Sequence, residues 1–196
     1  MNMGKRIFII AGPNGSGKTT TALSLLPNLI NIDEFINADE IAKGLAPLHP
    51  ESMALTASKL MIKRLRDLLA AHKNFAFETT ASGTNYIKYL KEAQTIGYKV
   101  HLIFLWLQSP DLAVERVTQR VIQGGHHIPE NIIRRRYYSG LKNLINHYLP
   151  ISDSALILDN SKAESNKTIA EKCITGDLKI EELDIWKRIN QVAHAK

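Results

Sequence analysis

A three-layer α/β/α fold on a mainly parallel sheet of about five strands is what the sequence predicts, from three observations. Residues 5–12 (KRIFIIAG) and 99–107 (KVHLIFLWL) are apolar runs without alternation, the pattern of strands buried on both faces of a parallel sheet. Shorter strand-like stretches at 34–37, 75–80 and 155–158 are separated from these runs by segments of helical spacing, so strands alternate with helices. The first run also ends in a glycine-rich turn that opens a helix, as the first βα unit of such a sheet would.

In chain order, helix signals run from 17 to 26 and stop near Pro27. Leu55, Leu60, Met61, Leu65, Leu68 and Leu69 give one long helix over 50–72, with Pro50 near its start. Residues 85–96 form another, stopped by Gly97. Ser109-Pro110-Asp111 starts a helix that breaks at Gly124-Gly125, and a further one runs from 129 to 148. The tail is expected to be a helix or a hairpin turning at 175–177, followed by a helix over 181–192. The domain reading is a core of 1–161 that includes a helical lid around 112–148, with 162–196 as a hairpin and helix packed on the same domain.

Composition narrows the function. Apolar residues make up 44% of the 196, enough for a sizeable core, and no apolar run approaches the roughly 20 residues of a membrane span. The first ten residues read as a buried strand rather than a signal peptide, and one cysteine, Cys173, excludes an internal disulfide; a reducing cytoplasm is the simplest setting. Net charge is +6, and residues 112–148 carry five arginines and one lysine against two glutamates, a local patch of about +4 that suits an anion.

AGPNGSGKTT contains Gly12-x4-Gly17-Lys18-Thr19 between a strand and a helix. Such a loop turns backbone N–H groups inward around phosphate oxygens, so residues 12–19 (Gly12, Pro13, Asn14, Gly15, Ser16, Gly17, Lys18, Thr19) are expected to hold ATP. Lys18 would meet the β- and γ-phosphates, Thr19 would ligate Mg²⁺, and the helix adds its positive end. The pattern specifies a P-loop NTPase fold, not the fate of the phosphate.

Two carboxylates follow strands. Asp39, in FINADEIA, is placed to take the proton of an attacking hydroxyl, with Asp33 and Glu40 as competitors and a helix cap before Ile41 as the plainer role. Glu78, in FAFETT beside Thr79 and Thr80, ends an apolar strand and needs a partner: Mg²⁺, a substrate hydroxyl or a cation. FLWLQSP has no acid after its strand, which counts against a motor-type ATPase.

RVIQGGHHIPENIIRRR admits three readings. A histidine zinc site lacks the usual spacing. A nucleic-acid grip has basic and aromatic residues, but its patch is compact and adjoins the phosphate loop. A lid hinged at the glycines would place Arg120 and one or two of Arg134–Arg136 on phosphate; three consecutive helical residues diverge by about 100° each and cannot all reach one ligand.

AGPNGSGKTT, FINADEIA, FAFETTASG, GYKVHLIFLWL, ERVTQRVIQGGHHIPENIIRRRYY and DNS at 159–161, in that order, resemble the zeta-toxin family, and in particular its short members described as ATPases. The resemblance covers residues 5–161 and implies a P-loop small-molecule kinase. Characterised toxins of that family move the ATP γ-phosphate to a sugar hydroxyl of UDP-N-acetylglucosamine. Lys18 then resembles the phosphate-loop lysine, Thr19 the Mg²⁺ ligand, Asp39 the catalytic base, Glu78 the substrate-site glutamate, and Arg120 with Arg135 or Arg136 the lid arginines. Asp159 and Asn160 would lie near the adenine. A small-molecule acceptor and an antitoxin protein are the implied partners; separately, no membrane is expected and nucleic acid is disfavoured. The chain departs from the larger toxins in its length and in the GGHHIP segment. The rival expectation is an ATPase or ATP-dependent switch stimulated by a protein or nucleic acid.

Overall fold

The structure, a computed structural model, describes residues 4–26, 32, 34–162 and 167–195. Strand β1 (Arg6–Ala11) runs up the middle of a seven-stranded sheet of order β2-β3-β1-β4-β5-β6-β7. Its partners are β3 (Phe75–Thr79) and β4 (Lys99–Trp106), both parallel to it. Beyond them lie β2 (Phe35–Ile36) on one side and β5 (Ser154–Asp159) on the other, also parallel. These five are the expected parallel strands. The sheet is wider than expected because the tail joins it: β6 (Lys167–Lys172) pairs antiparallel with β5, and β7 (Leu178–Ile180) with β6. Of the two readings of the tail, the hairpin is the one formed, turning through Gly176 at φ 96°. A 2-period edge strand of mixed polarity carries too little signal to be told from a helix by pattern alone. Cys173, in this turn, is exposed.

Alternation along β1 feeds both faces of the sheet. Ile7, Ile9 and Ala11 enter a large core with α3 (Ala54–Ala70), α4 (Ile87–Thr95), α5 (Pro110–Ile122), α6 (Glu130–Asn143) and α8 (Leu183–His194). Phe8 and Ile10 enter a smaller one under α1 (Lys18–Leu25). The three layers are therefore unequal. Among the other elements, α2 (Ala38–Leu45) follows β2, a 3₁₀ turn (Pro50–Met53) precedes α3, and α6 runs into a π-helical stretch (Leu144–Tyr148) and a short α7 (Leu149–Ile151). The long helix expected from Pro50 thus starts as a tighter turn and becomes α-helical at Ala54.

Two features position the site. β1 lies between β3 and β4, so the crevice beyond its carboxyl end is the switch point where open α/β sheets bind ligands. The loop after β3 is clamped from the end of α6 and the π-helical stretch: Asn143 Nδ2 donates to Ala81 O at 2.8 Å and Tyr148 Oη to Gly83 O at 2.8 Å. Among the described residues, no helix is long and apolar enough to cross a membrane.

Candidate active site

The loop between β1 and α1 is held open by its glycines. A Cβ on Gly12 would lie 2.3 Å from Leu105 O, so only glycine lets the loop rest against β4; Gly17, at φ 82°, turns the chain into α1. Asn14 and Ser16 are buried, and Asn14 Oδ1 and Ser16 Oγ have no hydrogen-bond partner among the described residues. Polar atoms sequestered without partners mark a place built to receive one. From behind, Asn160 Nδ2 donates to Ser16 O at 2.6 Å, while Arg116 donates to Asn160 O at 2.7 Å and Ser161 O at 2.9 Å. Asp159 accepts from the Ser161 N–H at 2.9 Å. Asp159 and Asn160 thus adjoin the loop, with Asn160 buttressing it. In the sequence Arg116 counts only among the arginines of the basic 112–148 patch; its hold on residues 160 and 161 comes from the structure.

Lys18 and Glu78 form the buried charged centre. Lys18 Nζ donates to Pro13 O at 2.9 Å and lies 3.8 Å from Glu78 Oε1. Glu78 Oε2 accepts from Thr19 Oγ1 at 2.7 Å and from Asn37 Nδ2 at 2.9 Å. Burial lowers the Lys18 pKa, against the attraction of Glu78 and Asp39; burial raises that of Glu78, against Lys18. Both charges are therefore under-compensated, the condition in which a phosphate or a cation beside them is favourable.

Asn37 was not singled out from the sequence, although its type is a good helix cap. Its Oδ1 accepts from the Asp39 N–H at 2.8 Å, so Asn37, not Asp39, caps the helix after β2. That frees the Asp39 carboxylate from the capping role. Its side chain lines a cavity of about 290 Å³ shared with Lys18, Glu78, Thr79, Thr80 and Arg136. Glu40 does not line this cavity, and Asp33 lies outside the described residues.

The loop between α5 and α6 and the start of α6 form the far wall with His126, His127, Ile128, Pro129 and Ile132. The arginine run separates by face. Arg134 turns to the surface and pairs with Asp111 at 2.6 Å and Glu130 at 2.7 Å. Arg135 is exposed and does not line the cavity, whereas Arg136 is half-buried and does. Arg120 sits behind the loop and donates to His126 O at 3.3 Å, outside the cavity lining; its Nε is buried without a partner among the described residues. No group of three or more His, Cys, Asp or Glu side chains suited to a metal occurs among the described residues.

Residues 7–137 match the family of AAA domains (AAA_33). An uncharacterized protein of Haemophilus influenzae is 31% identical over 135 residues, 69% of this chain and 94% of the relative. Among solved structures, a chain of the AvrRxo1-ORF1:-ORF2 complex with ATP superposes with a TM-score of 0.72 at 17% identity, covering 97% of this chain but only 64% of that one. A chain of the PezAT chromosomal toxin–antitoxin system of Streptococcus pneumoniae gives 0.60 at 16% identity, covering 97% of this chain and 87% of that one. At such identities the two structures speak to fold alone, a P-loop α/β fold. With the family match spanning most of its length, the chain belongs to the AAA_33 family of P-loop AAA domains.

Proposed function

We propose that the protein is an ATP- and Mg²⁺-dependent phosphotransferase of the zeta-toxin type, moving the γ-phosphate of ATP to a hydroxyl of a small molecule. The observation that carries this reading is convergence: Lys18, Asp39, Glu78 and Arg136, from four separate elements, line one cavity beside the phosphate loop. UDP-N-acetylglucosamine is the acceptor that the family resemblance puts first. The PezAT likeness motivates an antitoxin protein as partner.

In this mechanism the backbone of residues 12–19 cradles the phosphates and Lys18 leaves Pro13 O to meet them. Thr19 Oγ1 and Glu78 Oε2 form an all-oxygen pair that fits Mg²⁺, with Thr19 as ligand and Glu78 holding its shell. The ion would neutralise charge on the β- and γ-phosphates. Asp39 orients the acceptor hydroxyl and takes its proton as the new O–P bond forms. The bond between the γ-phosphorus and the bridging oxygen breaks, and ADP leaves with that electron pair. Arg136 neutralises charge on the group in flight, and the lid excludes water.

The test is a mass-spectrometric assay with ATP, Mg²⁺ and a panel of sugar nucleotides and nucleosides. A phosphorylated acceptor is expected from the wild-type chain, with the rate reduced about 10²–10⁴-fold in Asp39→Asn. ATP turnover indifferent to Asp39→Asn, with no phosphorylated product, would overturn the proposal.

A further inference from the structure

The proposed mechanism leaves one feature of the cavity unused. His126 Nε2 stands 3.9 Å from Asp39 Oδ2, with the imidazole only 25% exposed. This separation is too long for a hydrogen bond, but charge still acts across it. The contact joins distant parts of the chain, since Asp39 lies on α2 and His126 in the loop between α5 and α6.

The loop is built to seat that histidine. On one side Arg120 donates to His126 O, and a Cβ on Gly125 would lie 2.7 Å from Arg120 Cγ. Gly125 therefore allows the loop to lie flat on the arginine. On the other side Ile128, 7% exposed, is anchored in the core. Between these anchors His126 turns inward, whereas the next residue, His127, is exposed.

We propose that His126 is a positioning residue for Asp39, orienting its carboxylate through Nε2 when the lid loop is seated, so that lid closure and alignment of the base are one event. This rests on the reading of Asp39 as the base. The groups facing His126 are Asp39 and Glu40 from α2, Glu51 from the 3₁₀ turn and Arg120 from α5; Lys18 and Arg136 share the cavity. Burial holds the imidazole below its usual range, opposed chiefly by Asp39, so the neutral form is favoured. A neutral imidazole can donate one hydrogen bond to the carboxylate without neutralising it. A protonated one would pair with the carboxylate and weaken it as a base.

Two measurements on the full chain test this. In an NMR titration of the imidazoles, Asp39→Asn should lower the His126 pKa further, because the attraction that opposes burial is removed. In Mg-ATP turnover followed by ADP release, His126→Ala should lose about tenfold. His126→Gln, which keeps an N–H near the Nε2 position, should recover most of the rate and lose the part of the acid limb due to His126. A His126 titration indifferent to Asp39→Asn, or His126→Ala turning over as fast as wild type with the same pH profile, overturns the proposal. A wild-type chain that transfers no phosphate overturns the functional reading alone, because the titration still decides the His126–Asp39 contact.

Discussion

Lys18 and Glu78 hold opposite charges in a space that water barely reaches, with side chains 6% and 9% exposed. Such a pair is weak support for stability while intact and a strong liability once broken. Glu78→Gln keeps the shape and removes the charge, leaving the Lys18 ammonium with Pro13 O and the more distant Asp39. The 3.8 Å separation puts the cost toward the low end for a broken buried pair, about 3 kcal/mol. Urea denaturation of the nucleotide-free protein should show this as a lower midpoint. Saturating Mg-ATP should restore part of the difference, since its phosphates supply the missing negative charge. A midpoint unchanged from wild type would mean that Lys18 does not depend on Glu78.

At the scale of elements, α5 and α6 pack together and are joined by a loop whose two glycines do different work. Gly124 sits at φ 89° with open space where a Cβ would be; Gly125 has a Cβ direction blocked by Arg120. Gly124→Ala should cost about 1 kcal/mol of backbone strain, seen as a modest drop in melting temperature, with turnover little changed. Gly125→Ala should lift the loop from Arg120 and lower Mg-ATP turnover about tenfold or more, with a smaller effect on melting. Equal losses of turnover in the two variants would show that the loop's backbone freedom matters rather than its seating on Arg120. Arg134→Ala is the surface counterpart: its partners Asp111 and Glu130 are exposed, so turnover and melting should both stay as in wild type.

Across the whole molecule, His101 and His126 are both held below the usual histidine range chiefly by burial. Lowered folded values mean that the unfolded chain takes up protons first as pH falls through about 6.5. Their contribution to stability is therefore complete above that pH and declines below it. His101 stacks on Phe8 at 4.7 Å and its Nδ1 shares a hydrogen bond with Ser154 Oγ at 2.8 Å. Replacing it with Phe removes one proton from the difference between the states. The wild-type stability curve should then fall more steeply than that of His101→Phe as pH drops below about 6.5. Parallel curves from chemical denaturation would show that His101 protonates equally in both states.

Periodicity and the eight-residue phosphate loop were enough to derive a parallel α/β sheet, its five strands and the crevice that holds the site, because these depend on local pattern and on the buried character of long apolar runs. That Lys18, Thr19, Asp39 and Glu78 come together was legible for the same reason: each lies at or beyond the carboxyl end of a strand of one sheet, and strand ends of one polarity meet at one edge. Pairings between remote segments were not legible. The contact of His126 with Asp39, the grip of Arg116 on Asn160 and Ser161, and Arg136 rather than Arg135 lining the cavity depend on how α5 and α6 rotate against the sheet. The tail's place at the sheet edge likewise depends on the β5 edge being open to pair. Composition and periodicity say which side chains want burial; only the packed chain decides which distant groups share it.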